Sequence, residues 1–239
     1  MPVENISKQS HQNNLHYRQL YQNNPEPWSY THRAAEVLRH QYIVRELFTF
    51  KQTFEKGLDI GCSLGQLTSL LSPLCSQLYA IDVSEIAVHG AIQFCHSSKI
   101  HFSLAQLPGL PFQLESLDLI VAADSIYEFV PEQNRSQAVQ DIHKILKPNG
   151  MALFTDYIRP EKYLDYLDLI QKNNFKIVKI VPLHDRLWYQ FESWFKSIRQ
   201  WKFSKILLSS IFIAKLFRYP SGLFADQGSM HHLIFVKKA

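Results

Sequence analysis

Short apolar segments alternate with helical segments along most of this chain, and the alternation limits the fold more than any other feature. Segments apolar enough to predict strands lie near 58–60, 78–81, 100–104, 117–122, 152–155, 175–181 and 232–236. Apolar residues spaced three and four apart predict helices near 66–71, 85–95, 132–146 and 161–171. Strands that are apolar almost throughout are typical of a sheet with both faces covered. The pattern therefore predicts a doubly wound α/β sheet.

Two further helical regions lie outside this alternation. Helices predicted at 11–22 and 32–50 precede the first strand, and a helical pair predicted at about 187–217 precedes the last one. We expect Tyr219-Pro220-Ser221-Gly222 to end the second helix of this pair. The predicted organisation is a helical segment at 1–50 that covers the site, a core at 51–184 with 230–239, and an inserted lid at 185–229.

The first predicted strand leads into Gly61-Cys62-Ser63-Leu64-Gly65, a turn that precedes a helix. Two glycines permit a tight turn and a close approach by a ligand, and a helix start offers free N–H groups. Asp82 ends the second strand, where its carboxylate can accept both hydroxyls of a ribose. The glycine loop and Asp82 together predict an adenosine-type ligand. The alternatives are that the loop is an ordinary strand–helix turn and that Asp82 only caps the next helix. Ser84 is the predicted N-cap of the next helix.

Two features favour S-adenosylmethionine over a dinucleotide as that ligand. Asp59 lies inside the first strand, where a carboxylate suits a ligand with an ammonium group. Gln66 stands where the dinucleotide pattern has its third glycine.

The glycine loop, Asp59 and Asp82 are followed by two further segments, Leu117–Val121 and Leu146-Lys147-Pro148-Asn149-Gly150. In this order and spacing, the chain resembles the class I S-adenosylmethionine-dependent methyltransferases over about residues 40–182 and the last strand. The resemblance implies a Rossmann-like seven-stranded sheet whose last strand is antiparallel. It places Asp82 on the ribose, Gln106 near the adenine amino group and Leu107 against the adenine ring. The predicted cofactor-binding residues are Trp28, Asp59, Gly61, Cys62, Ser63, Gly65, Asp82, Val83, Gln106, Leu107, Ala123 and Asp124.

A narrower resemblance rests on the loop and on Pro25-Glu26-Pro27-Trp28 upstream of it. Both are similar to segments of the nodulation-protein-S type of methyltransferase, which implies methyl transfer to an amine, as on an amino sugar. This chain has Glu26 where that group has aspartate, and its inserted helices are a larger departure.

Methyl transfer from a sulfonium is an in-line displacement, so the protein mainly orients the acceptor and excludes water. The acceptor must present a lone pair, and a nearby side chain can take its proton. The residues predicted to face the methyl group and orient the amine or hydroxyl of a small-molecule acceptor are Tyr127, Glu128, Asp156 and Tyr157. The alternatives are an O-methyltransferase of a lipidic acceptor and a non-catalytic S-adenosylmethionine-binding protein.

The formal net charge of +4 is concentrated in the predicted lid. Residues 186–218 carry seven basic side chains and one acid, Glu192. Three interpretations stay open: a lid for an anionic or lipidic acceptor, a helix on an anionic membrane, or a plain cap or dimer face. Nucleic acid is not expected as a partner, because no binding module accompanies the basic residues.

The three cysteines, Cys62, Cys75 and Cys95, have no metal or redox spacing, and we expect reduced thiols. His184, His231 and His232 show no metal-ligand spacing either, so no metal site is expected. No secretory signal is visible, and the expected location is the cytoplasm.

Overall fold

The computed structural model describes residues 17–24, 26–28, 30, 33–194, 207–223 and 225–239. Seven strands form one sheet in the order β3-β2-β1-β4-β5-β7-β6. Their bounds are β1 Phe54–Ile60, β2 Cys75–Asp82, β3 Ile100–Leu104, β4 Leu117–Ala123, β5 Leu146–Thr155, β6 Phe175–Pro182 and β7 His232–Lys238. Strand β7 is antiparallel to both of its neighbours, and the pairs from β3 through β5 are parallel. The predicted fold class is confirmed.

Helices flank this sheet on both sides. Their bounds are α1 17–23, α2 Ala34–Phe50, α3 Gln66–Leu71, α4 Glu85–Phe94, α5 Glu132–Ile145, α6 Tyr163–Lys172, α7 Arg186–Trp194 and α8 Ile211–Gly222. The central strands send alternate side chains to opposite faces, as the period of two requires. On β4, Ile120 joins one buried cluster with residues of α5 and α6, whereas Leu119 joins another with residues of α2 and α3. Both faces of the sheet are therefore buried.

Strand β5 begins earlier than its apolar run predicts. Leu146 already pairs with Leu117, and the next pair along the ladder is Met151 with Leu119. The residues between Leu146 and Met151 form a bulge in the ladder. The segment Leu146–Gly150 is thus contained within the strand.

The inserted helices pack on α2. Trp188 of α7 is buried with Ala35 and Leu38 of α2 and Ala214 of α8. The expected end of the second inserted helix near Tyr219 is wrong, because α8 continues through Pro220 to Gly222. Pro220 has no N–H to donate to the carbonyl of Leu216, and the next residue, Ser221, donates its Oγ to the carbonyl of Phe217 at 3.0 Å.

Several predictions lie outside the described residues. These are residues 11–16 of the first predicted helix, Pro25, and the segment 195–206. That segment contains most of the basic residues and several of the aromatic residues of the predicted lid. The division into three domains stays a prediction. Among the helices that the structure describes, none is long and apolar enough to cross a membrane.

Candidate active site

The loop after β1 depends on its two glycines. Gly61 has φ 76° and Gly65 has φ 86°, values in the left-handed region that favours glycine. A Cβ on Gly61 would lie 2.7 Å from Ser125 Oγ, and one on Gly65 would lie 2.8 Å from Cys95 Sγ. The amides of Gly61 and Cys62 both donate to the Ile81 carbonyl, at 2.8 and 2.9 Å. The loop is therefore fixed against the end of β2 and leaves its outer side open.

Asp82 connects that loop to the next helix. One carboxylate oxygen accepts from the Ser63 amide and the other from the Ser84 amide, both at 2.9 Å. Ser84 caps α4 by accepting from the Ala87 amide, as predicted. Burial raises the pKa of Asp82, and these backbone donors oppose the rise. Each oxygen keeps a second lone pair, so the carboxylate can still accept hydroxyl groups from a ligand.

Asp59 lies beneath the loop rather than on its ligand side. Its carboxylate is 1% exposed and accepts from Thr68 Oγ1 at 2.6 Å. Burial raises the pKa of Asp59 to about 7. Cys62 is also buried. Neither of these two residues, nor Gly65, is among those that line the pocket described next.

A pocket of about 720 Å³, counting its open mouth, extends from the loop to the end of β4. The predicted cofactor residues that line it are Trp28, Gly61, Ser63, Asp82, Val83, Gln106, Leu107, Ala123 and Asp124. The structure adds lining residues that the predicted set omits: Tyr17, Tyr21, Tyr30, Ile60, Ile81, Ala105, Ser125, Phe129 and Val130. We call this cavity the loop pocket.

The N-terminal segment covers the loop end of the loop pocket. Tyr21 Oη and Ser63 Oγ share a hydrogen bond of 2.7 Å, and Trp28 Nε1 donates to Tyr21 Oη at 3.3 Å. The Trp28 ring meets Phe129 edge to face, with centroids 5.5 Å apart. Aromatic spacing alone could not separate this covering role from a core role for Tyr21.

Asp124 forms the opposite end of the loop pocket. It has φ 48°, and one oxygen lies 2.6 Å from Arg39 Nη2. The other oxygen accepts from the Tyr157 amide at 2.9 Å and lies 3.4 Å from His231 Nε2. Burial alone would raise the pKa of Asp124, but Arg39 and His231 hold it below its usual value. The loop pocket therefore ends at an ionised carboxylate.

Asp156, predicted to orient the acceptor, is turned into the protein. One oxygen accepts from the Ile126 and Tyr127 amides at 3.1 and 3.0 Å, and the other accepts from the Tyr166 hydroxyl. Burial raises the pKa of Asp156 to about 6. The Tyr127 ring packs on Tyr166 and lies under the guanidinium of Arg135. The structure thus gives Asp156 and Tyr127 contacts that shape the turn after β4.

The other two residues predicted for the acceptor also lie outside the lining of the loop pocket. Tyr157 packs edge to face against Tyr189 and His231, beside a second cleft. Glu128 is exposed, and partial burial together with the nearby Asp124 raises its pKa. Burial and the charges of Asp82 and Glu128 raise the pKa of Tyr17, which lines the loop pocket. The structure does not bring the four predicted residues to a single point, and their roles stay predictions.

Asp118 has a structural role. Its carboxylate accepts from the Lys56 amide at 3.0 Å and pairs with Lys147 Nζ at 3.1 Å. The three cysteines are free and buried. Within the part of the chain that the structure describes, no group of three or more His, Cys, Asp or Glu side chains could hold a metal ion.

Comparison with known proteins identifies the domain around this site. Residues 58–150 match a family described as a methyltransferase domain. Nodulation protein S of Sinorhizobium fredii is 30% identical over 130 residues, which cover 54% of this chain and 59% of that protein. An uncharacterized protein of Haemophilus influenzae is 24% identical over 77% of this chain and 72% of its own length. The chain thus matches about three-fifths of the Sinorhizobium protein's length.

Solved structures agree with this assignment. The crystal structure of the N-methyltransferase NodS from Bradyrhizobium japonicum, in complex with S-adenosyl-L-homocysteine, matches with a TM-score of 0.64. It is 23% identical and covers 71% of this chain and 89% of its own. Together, the comparisons confirm the predicted methyltransferase class, its likeness to the nodulation-protein-S type, and S-adenosylmethionine as the cofactor.

Proposed function

We propose that the protein transfers a methyl group to an amine nitrogen of a small molecule. The premise is that the chain carries a class I S-adenosylmethionine-dependent methyltransferase domain. The observation that carries this proposal is a pocket that runs from the glycine loop to the ionised carboxylate of Asp124. One end suits the donor, and the other suits a cationic or hydrogen-bond-donating acceptor.

The residues at the loop end fit the donor. Gly61 keeps free the space beside Ser125, where any larger side chain would clash. Asp82 has lone pairs left for two ribose hydroxyls. Gln106 and Leu107 line the side expected for the adenine. When bound, S-adenosylmethionine supplies a methyl group already activated by its sulfonium.

Asp59 is assigned a less direct role. Its buried carboxylate lies behind the loop, where an ionised form would favour the ammonium group of the donor through the loop or through water. This role depends on the charge of Asp59, which its raised pKa makes sensitive to pH near 7.

The far end supports nitrogen as the methylated atom. An amine arrives as an ammonium ion, which Asp124 and the nearby Glu128 attract. It must then lose a proton, and a carboxylate with a raised pKa, such as Glu128, is suited to accept one. The aromatic cover of the loop pocket, which contains Tyr17, Trp28 and Phe129, excludes water and favours a cation by cation–π attraction. The N-methyltransferase among the similar structures supports the same choice.

A transfer assay tests this proposal. The protein is incubated with S-adenosylmethionine carrying a labelled methyl group and a panel of primary amines that includes amino sugars, with the matching hydroxyl compounds alongside. We expect label on an amine and none on its hydroxyl counterpart. Labelling of hydroxyl compounds alone would overturn the choice of nitrogen.

A pair of variants tests the proton acceptor. Glu128→Gln should slow amine methylation at least tenfold, because the carboxylate that remains, Asp124, has a lowered pKa and is the weaker proton acceptor. Glu132→Gln, in the first turn of α5 and outside the loop pocket, is the matched control. Equal rates for both variants would remove Glu128 from the mechanism.

A second candidate property is contact with a membrane surface, favoured by one face of α8. Phe212, Leu216 and Tyr219 are 72%, 56% and 85% exposed, at helical spacing beside Lys215. Flotation with vesicles that contain anionic phospholipid should carry the wild type but not Phe212→Ser/Leu216→Ser. Absence of wild-type flotation at low salt would exclude this contact. A lipidic hydroxyl acceptor would then lose its support as well.

The proposed location is the cytoplasm. The thiols of Cys62, Cys75 and Cys95 are all buried and unpaired, which fits a reducing compartment.

A further inference from the structure

A buried set of charged side chains joins the loop pocket to the inserted helices. It consists of Arg39 and Glu36 on α2, Asp124 after β4, Asp185 before α7, and His231 before β7. We call this set the Asp124 cluster. Its members are at most 13% exposed at their side chains.

His231 lies at the centre of this cluster, between two carboxylates. Its Nδ1 lies 2.7 Å from an oxygen of Asp185, and its Nε2 lies 3.4 Å from an oxygen of Asp124. Ionised carboxylates only accept hydrogen bonds, so Nδ1 donates to Asp185, and a second proton on Nε2 would turn the 3.4 Å contact with Asp124 into an attraction. The position of the ring between two carboxylates therefore favours the imidazolium form of His231.

Asp185 is fixed on its other side by the backbone. Its second oxygen accepts from the Met230 amide at 2.7 Å and from the His231 amide at 3.3 Å. Asp185 thus clamps both the ring and the backbone of His231. Because Asp185 directly precedes α7, the clamp also fixes the start of the inserted helices.

The charged and titratable groups near His231 come from several elements. Burial and Arg39 of α2 disfavour the cation, while Asp185 and Asp124 favour it, and the pKa of His231 is raised to about 9. Glu36 of α2 and Glu128 after β4 interact with the same charge. The rings of Tyr157 and Tyr189 pack against the imidazole with centroids 5.5 and 5.3 Å away.

A second set of contacts ties α7 to the same cluster. Tyr189 Oη donates to Glu36 at 2.7 Å, and Arg33 pairs with Glu192 at 2.6 Å. Glu36 in turn accepts from Arg39, which holds Asp124. The inserted helix α7 is therefore connected to the pocket carboxylate from two directions.

We propose that His231 is a positioning residue: as an imidazolium it bridges Asp185 to Asp124, so that the placement of α7 and the orientation of the pocket carboxylate depend on each other. The reaction that this would serve rests on the proposed function. The bridge itself does not, since each of its contacts joins two side chains of this chain.

The test follows the bridge by nuclear magnetic resonance on the full chain. The side chains of histidine are labelled with ¹⁵N, and the amide of Tyr157, which donates to Asp124, reports the carboxylate's orientation. We expect both nitrogens of His231 to carry protons at pH 7.5. The His231 ring and the Tyr157 amide should then titrate together near pH 9.

Three variants complete the test. His231→Gln and Asp185→Asn should each show a shifted Tyr157 amide already at pH 7.5, and amide exchange in residues 186–194 at least tenfold faster than in the wild type. His232→Phe is the matched control, since it removes the neighbouring histidine but keeps an aromatic ring on Tyr163. It should leave both readouts unchanged.

A neutral His231 at pH 7.5, or a Tyr157 amide that does not follow its titration, would overturn the bridge. Both results come from the wild type, so a variant that fails to fold does not affect them. Binding of S-adenosylhomocysteine is measured on the same samples. If the wild type shows the coupled titration but does not bind that ligand, the proposed function fails while the bridge stands.

Discussion

The two ends of the loop pocket are built in different ways. The loop end uses backbone amides, two glycines and Asp82, all within residues 61–84 and all fixed by hydrogen bonds to near neighbours. The Asp124 end uses full charges from positions 36 to 231 of the chain, buried and paired with one another. Residues close together in sequence determine the shape of the loop end. The charged residues of the Asp124 end are far apart in sequence and come together only in the complete fold.

This difference predicts that damage at the two ends should have different consequences. Removing one charge from the Asp124 cluster leaves its buried partners with one fewer opposite charge, which costs stability. Removing a loop contact leaves the fold largely intact and should mainly reduce ligand binding.

The largest expected effect is that of Asp124→Asn. Asparagine tolerates the positive φ of this position, so the change isolates the loss of charge opposite Arg39 and His231. We expect the free energy of unfolding to fall by about 3 kcal/mol, as is typical when one partner of a buried pair is removed. Denaturant unfolding measures it. Asp118→Asn, in the more exposed pair with Lys147, should cost about 1 kcal/mol or less, and equal losses would contradict the contrast.

The next effect concerns the loop. Gly65→Ala should lower the free energy of unfolding by about 2 kcal/mol, because alanine is strained at a φ of 86° and its Cβ would meet Cys95 and Ala91. It should also weaken binding of S-adenosylhomocysteine at least tenfold. Gly109→Ala is the control, with φ 110° but no atom within 4 Å of the added Cβ. Unchanged ligand affinity in Gly65→Ala would show that the loop is not shaped for a ligand.

Changes of pH should separate the two ends without mutation. The pKa of His231 is raised to about 9, above its unfolded value, so its stabilisation is complete below about pH 6.5 and is lost as the pH rises through 9. We expect a loss of about 1 kcal/mol or more between pH 7 and 9, seen as a falling melting temperature. His231→Gln should lack this slope; an identical slope in both proteins would assign it to another group.

Asp59 should give the loop end a pH response of its own. Its pKa is raised to about 7, and a bound ammonium group would favour the ionised form. The affinity for S-adenosylhomocysteine should therefore rise severalfold from pH 6 to 7.5. In Asp59→Asn this rise should be absent, and titration calorimetry at three pH values compares the two proteins. A rise that survives the substitution would exclude Asp59 as its source.

The smallest expected effect is that of Tyr21→Phe. It removes the hydrogen bond to Ser63 and the acceptor for Trp28 while the ring stays in place. We expect a loss of about 1 kcal/mol in stability or less, and a ligand that dissociates a few times faster. Tyr79→Phe, whose ring packs on Phe112 at the outer part of the sheet, provides the comparison for stopped-flow measurements. A loss as large as that of Gly65→Ala would mean that the cover, rather than the loop, holds the ligand.

The sequence predicts most of the sheet because its signals are local. Apolar runs give all seven strands, and Ser84 and the glycine loop follow from turn and capping chemistry. Strand β5 begins earlier than predicted, because pairing with β4 extends it through a segment with turn-like residues. Helix α8 continues past Pro220, because its packing against α2 and α7 holds the helix in spite of the one missing backbone donor.

The acceptor end could not be predicted in the same way. Asp156 and Tyr127 follow strands at the correct edge, but only the fold reveals that Tyr166 and backbone amides occupy the Asp156 carboxylate. Arg39 stands alone in an ordinary helical pattern, and His231 shows no motif. Their partners are far away in sequence, so no spacing rule brings them together. Burial of charge, which matters most here, is a property of the complete structure.

Titration calorimetry with S-adenosylhomocysteine, on the wild type and on Asp82→Asn, tests the central claim most directly. We expect one binding site per chain in the wild type and an affinity at least tenfold weaker in the variant, with NAD failing to compete in either protein. Asparagine keeps the size of the side chain but presents only one accepting oxygen to the ribose hydroxyls. Equal affinity in the two proteins, or displacement of the ligand by NAD, would contradict the assignment of this pocket to the methyl donor.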